Sequence, residues 1–118
     1  MIPEHYNILQ FMVDEGYAQN CCIRYNSNGT DIPEKLLKLW KHFNEVTFNF
    51  SIDAYGDKND YIRYPSKWNT IAGNLRMLDS TLPNIRINIA AAAQLLNIAY
   101  LDELAQWKQE QNFTKVNL

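Results

Sequence analysis

From Val46 to Asp53, apolar and polar residues alternate without a break: Val46, Phe48, Phe50 and Ile52 against Thr47, Asn49, Ser51 and Asp53. A period of two puts these sets on opposite faces of a β-strand, one to be buried and one polar. Two other segments repeat the pattern. In Cys22–Ser27, Ile23 and Tyr25 oppose Arg24 and Asn26; in Ile85–Ala90, the three isoleucines oppose Arg86, Asn88 and Ala90. Stretches with helical spacing separate the three, and strands alternating with helices imply a parallel sheet with right-handed crossovers. Parallel strands covered on both faces read as continuous apolar runs. Alternation in every strand therefore predicts helices on one side only, with Arg24, Asn26, Thr47, Asn49, Ser51, Arg86 and Asn88 gathered on the other. The expected fold class is α/β: a segment of a (β/α) barrel (a partial TIM barrel), order αβαβαβα, with a three-stranded parallel sheet and a polar lumen face. A small doubly wound sheet is the alternative, and the alternation counts against it.

The helices carry their own signals. Pro3 and Glu4 suit a first turn, Ile8, Leu9, Met12 and Val13 form an apolar stripe, and Gly16 is a stop. Asn28-Gly29-Thr30 reads as a turn. Asp31 is the expected cap of a second helix, with Pro33 near its start and Leu36, Leu37, Trp40 and Phe43 as its buried side. Ser66 is the expected cap of a third, with the stripe Trp68, Ile71, Ala72, Leu75 and Leu78. Asn97 is expected to open a last helix carrying Leu101, Leu104 and Trp107, and the polar end from Gln109 to Leu118 to fray.

Composition narrows the function classes. With 118 residues, 47% hydrophobic, 20% charged and a net charge of -2, the chain reads as one soluble domain without a basic nucleic-acid footprint. No apolar run approaches the roughly 20 residues of a membrane span, and no signal peptide is visible. The two cysteines, Cys21 and Cys22, are adjacent and cannot staple distant segments, which fits a reducing, cytoplasmic setting. His5 and His42, the only histidines, show no metal-ligand spacing. A nucleophile elbow, a P-loop and a dinucleotide fingerprint are all absent from the sequence.

Five segments carry a resemblance: Ile2-Pro3-Glu4-His5, Arg24-Tyr25-Asn26-Ser27-Asn28-Gly29-Thr30, Ser51-Ile52-Asp53, the run Tyr61-Ile62-Arg63-Tyr64-Pro65-Ser66-Lys67-Trp68, and Asn97 to Leu104. Across almost the whole chain they resemble the middle of a radical S-adenosylmethionine (AdoMet) enzyme core, of the twitch-domain type met in phage and marine sequences. The tyrosine-arginine-proline run is the distinctive part. The resemblance implies a partial (β/α)6 barrel holding a [4Fe-4S] cluster and AdoMet, which such enzymes cleave reductively to a 5′-deoxyadenosyl radical. It implies that Asn26 faces AdoMet, that Ser51 and Asp53 form the S-x-D strand end beside it, and that Arg63 pairs with the AdoMet carboxylate. A planar guanidinium suits that carboxylate, and an amide or hydroxyl at a strand end suits the amino-acid or ribose part.

The departures are as informative. The cluster needs three cysteines in C-x-x-x-C-x-x-C spacing; this sequence has two, side by side. The glycine-rich GGEP turn that receives the AdoMet amine is also missing, and Met1 stands where that turn would end. The chain thus looks like the third to fifth barrel strands of a longer protein, with no catalytic or metal-ligating residues of its own and the iron–sulfur cluster belonging to the longer parent. Each residue also has a plainer reading: Arg63 as a partner of Asp57 or Asp60, Ser51 and Asp53 as strand-end and turn residues, Asn26 and Asn28 as turn caps. Two functions are expected to compete. One is a truncated radical SAM segment contributing part of an AdoMet site. The other is a stand-alone, non-catalytic interaction domain that forms a homo-oligomer through its open sheet edges, with two partial barrels face to face.

Overall fold

A computed structural model of the chain describes residues 2–118; Met1, where the glycine-rich turn would end, lies outside the described residues. The elements are α1 (Pro3–Asp14), a 3-10 turn (Ala18–Asn20), β1 (Cys22–Ser27), α2 (Glu34–Trp40), β2 (Glu45–Ser51), α3 (Asp57–Ile62), α4 (Trp68–Thr81), β3 (Ile85–Ala90), α5 (Leu101–Glu110) and β4 (Val116–Asn117). The four strands form one sheet in the order β1-β2-β3-β4, every pair parallel. The order never reverses, unlike that of a doubly wound sheet.

Alternation along the strands decides what each face meets. Val46, Phe48, Phe50, Ile85, Ile87, Ile89 and Val116 are buried in one cluster with Leu36, Trp40, Ile71, Leu75, Leu78 and Leu104 from the helices. The opposite face leaves Arg24, Asn26 and Arg86 exposed and Asn49, Ser51 and Asn88 half-buried. All five residues of the stripe expected on α4 are buried, because a 3.6-residue period and a sheet-facing side are both legible locally.

Several expectations are corrected. The sheet has four strands, not three: the tail does not fray after Gln109 but continues α5 to Glu110 and returns as β4, with Val116 beside Ile87. Asp79 secures it, its carboxylate accepting the N–H of Thr114 (3.2 Å) and of Lys115 (2.7 Å). The polar residues after β2, which carry no periodic signal in the sequence, form α3, entered through Gly56 at φ +63°, a left-handed value that glycine adopts without a Cβ clash. Neither Asp31 nor Ser66 caps a helix; α2 follows Pro33 and α4 follows Lys67, neither with a side-chain cap bond. Asn97 lies in a turn and α5 begins four residues later at Leu101, because the Asn97 side chain is drawn into the interior. On α1, Ile8 faces solvent and Leu9 is the buried residue.

Candidate functional site

Polar side chains collect on the open face of the sheet and beyond the C-terminal ends of β2 and β3. On the face, Asn26, Asn49, Asn88 and Asn117 share one register row across all four strands. Their amides run in one sense: Asn88 Nδ2 donates to Asn49 Oδ1 at 2.8 Å, and Asn49 Nδ2 donates to Asn26 Oδ1 at 2.7 Å. The row therefore reaches the β1 edge with the Asn26 amide N–H groups still to be placed. Toward the strand starts, Arg24, Thr47 and Arg86 form the neighbouring row, with Arg86 Nη2 3.5 Å from Glu45. Asn26 also lines a cleft of about 290 Å³ with Tyr25, Ser27, Asn28, Thr30 and Asp31.

The floor of that cleft is held from the helix side. Tyr25 Oη accepts the indole N–H of Trp40 at 3.1 Å and lies 2.6 Å from His5 Nε2. Burial pushes the Tyr25 hydroxyl above its ordinary value of 10.0, and the Trp40 hydrogen bond partly offsets the rise. Above it, the Asn28-Gly29-Thr30 turn lies over Phe50, and the Gly29 carbonyl accepts Asn74 Nδ2 from α4 at 2.7 Å.

The second set surrounds Asp53, only 3% exposed. Its N–H donates to Asn59 Oδ1 at 3.0 Å, and its carbonyl accepts Asn97 Nδ2 at 2.7 Å. Of its carboxylate oxygens, Oδ1 accepts the Ala92 N–H at 3.0 Å and Oδ2 lies 2.7 Å from Arg63 Nε. The Arg63 N–H is not aimed along that contact, which makes it a close charge pairing rather than a directed hydrogen bond. Asn97 is fully buried; its Nδ2 also donates to the Ala92 carbonyl at 3.0 Å and its Oδ1 accepts the Gln94 N–H at 2.8 Å.

Of the residues picked out from the sequence, Asp53 and Arg63 are brought together, whereas Arg63 is not paired with Asp57 or Asp60. Ser51 is the last residue of β2, in register with Ala90 and two residues from Asn49 on the same face. Asn26 sits one strand away, joined to Asn49 and not to the Asp53 set. Sequence reasoning missed Asn59 and Asn97 as structural partners, and Asn117 as the end of the row. Single asparagines in a six-residue helix or a turn give no periodic signal, and a two-residue strand is too short for one.

Among the described residues no group of three or more histidine, cysteine, aspartate or glutamate side chains is placed to hold a metal ion. Cys21 and Cys22 do not fit an iron–sulfur cluster, which takes three or four thiolates; one is half-buried and the other exposed. No helix among the described residues is long and apolar enough to cross a membrane. Comparison with protein-family models, curated proteins and solved structures finds no match.

Proposed function

We propose that this chain is a segment of a (β/α) barrel of radical SAM type that contributes part of an AdoMet-binding surface without catalysing radical chemistry itself. The observation that carries the reading is the one-sided sheet: four parallel strands in consecutive order, apolar residues under the helices and an asparagine row on the bare face. In a (β/α) barrel such a face lines the interior, and ligands bind at the C-terminal ends of the strands. Ser51, Asn26 and Arg63 stand at or near those ends and match the residue types that the resemblance assigns to AdoMet. The Arg63 contact with Asp53 runs through Nε; a guanidinium has further N–H donors at its other two nitrogens. In longer proteins of this type, AdoMet supplies the 5′-deoxyadenosyl radical once a cluster reduces it; this chain would bind and orient only. Its adjacent free cysteines suit a reducing, cytoplasmic setting.

The test is calorimetric titration of the full chain with AdoMet, beside Arg63→Gln and Asn26→Ala. Saturable binding that both variants weaken supports the reading. Absence of heat at millimolar AdoMet, or binding indifferent to both variants, rejects it.

A second reading is self-association, favoured by the outer edge of β1, six residues long, which no strand among the described residues pairs. Such an edge offers free N–H and C=O groups to another copy, giving a homo-oligomer of facing half-barrels. Light scattering decides it: a monomer mass maintained at high concentration removes this reading.

A further inference from the structure

Both carboxylate oxygens of Asp53 are engaged inside the chain, one by the Ala92 N–H and one by Arg63, and the residue is almost sealed from solvent. So enclosed a group is badly placed to contact a ligand, yet it joins three segments. We propose that Asp53 and Asn97 are positioning residues, a clamp that ties the C-terminal ends of β2 and β3 together and holds the Arg63 guanidinium in place. This rests on the reading of the strand ends as the ligand side, and it makes Asp53 a support for Arg63 rather than a contact to AdoMet.

Three bonds cross between the strand ends: Ile52 N–H to the Ala90 carbonyl, Ala92 N–H to Asp53 Oδ1, and Asn97 Nδ2 to the Asp53 carbonyl. Asn97 then closes the Ala92–Asn97 turn on itself through the Ala92 carbonyl and the Gln94 N–H. Every polar atom of a fully buried side chain is thus in use. Asparagine alone among residues of this shape supplies two donors and an acceptor at once. Without it, the Asp53 carbonyl loses its partner in a buried site, and the part-buried bonds to the Ala92 carbonyl and the Gln94 N–H go with it, a costly condition that the turn relieves by moving. Ala92 moves with the turn, its bond to Oδ1 loosens, and the carboxylate turns against Arg63. The coupling runs from Asn97 through Ala92 and Asp53 to Arg63.

The experiment reads the Arg63 side-chain Nε resonance by nitrogen NMR in the full chain. Only four arginines are present, and Arg63→Lys identifies the signal by its loss. Asp53→Asn, which keeps an acceptor for Ala92 but removes the charge, is expected to shift it. Asn97→Ala, which touches neither Arg63 nor the carboxylate, is expected to shift it as well. A signal unmoved by Asn97→Ala in a folded protein overturns the clamp. If Asn97→Ala does not fold, the reverse direction decides, since coupling is reciprocal. Arg63→Gln should then speed hydrogen exchange at the Ala92 amide, and an unchanged rate overturns the proposal. Neither readout needs AdoMet. A chain that fails to bind AdoMet but shows the shift loses the proposed function and keeps the clamp; one that binds without the shift does the reverse.

Discussion

Gly29→Ala should be among the most damaging single-methyl changes available in this protein. Gly29 has φ +72°, and a Cβ there would overlap Cδ1 and Cε1 of Phe50, with Cζ 3.3 Å away. The ring cannot step aside: Phe50 is fully buried and its centroid lies 4.7 Å from that of Phe48. Nor can the turn simply lift, because Asn74 holds the Gly29 carbonyl at 2.7 Å. Two costs therefore add. Overpacking a buried ring costs about 1–3 kcal/mol, and a left-handed backbone with a Cβ costs about 1–2 kcal/mol more. The sum, about 2–5 kcal/mol, is a large share of the roughly 5–15 kcal/mol that holds a domain folded. Gly16→Ala isolates the backbone part, since Gly16 has φ +78° and a methyl added there would meet nothing within 4 Å. Urea unfolding of both variants gives the comparison through the midpoint at constant slope. If Gly29→Ala loses no more stability than Gly16→Ala, the contact with Phe50 does not constrain the turn and the reasoning fails.

Three further outcomes follow from the same contacts. The Tyr25 hydroxyl titrates above 10.0 in the folded chain, so its contribution to stability is complete below that pH and is lost as pH rises through the folded value. Urea midpoints should fall with alkaline pH, and Tyr25→Phe should remove that part of the fall; an unaltered profile refutes it. Asp79→Ala should release β4, and hydrogen exchange at Ile87, whose N–H donates to the Lys115 carbonyl, should accelerate while Val46 stays protected. Equal acceleration at both would mean that β4 is not an independent flap. Asn49→Leu breaks two links of the asparagine row, yet Asn26 is exposed and Asn88 only half-buried. Water replaces the lost partners, so the cost should be about 1 kcal/mol or less by thermal unfolding, and a larger loss would make the row a structural element in its own right.

Sequence alone determined the class of fold and the character of each sheet face. Alternation in three separate strands is a local property, readable because side chains in extended backbone point to opposite sides whatever the rest of the chain does. The same holds for the α4 stripe, where Trp68, Ile71, Ala72, Leu75 and Leu78 recur at helical spacing. It also placed Asn26, Asn49 and Asn88 on one face. That they stand level, in a single hydrogen-bonded row, was decided by register, which depends on how strands slide against one another during packing. The partner of Arg63 was decided the same way: Asp57 and Asp60 are nearer in sequence, but Asp53 is the carboxylate that the β2 end presents to it. Asn97 reads locally as a helix start and serves instead as an interior plug, because its most buried partner is the carbonyl of Asp53, 44 residues away. The tail reads as polar and frayed, yet Asp79 from α4 and the open side of β3 order it into a strand. Periodicity reports what a segment can bury; only the assembled chain supplies the distant donors and acceptors that decide where each polar group ends up.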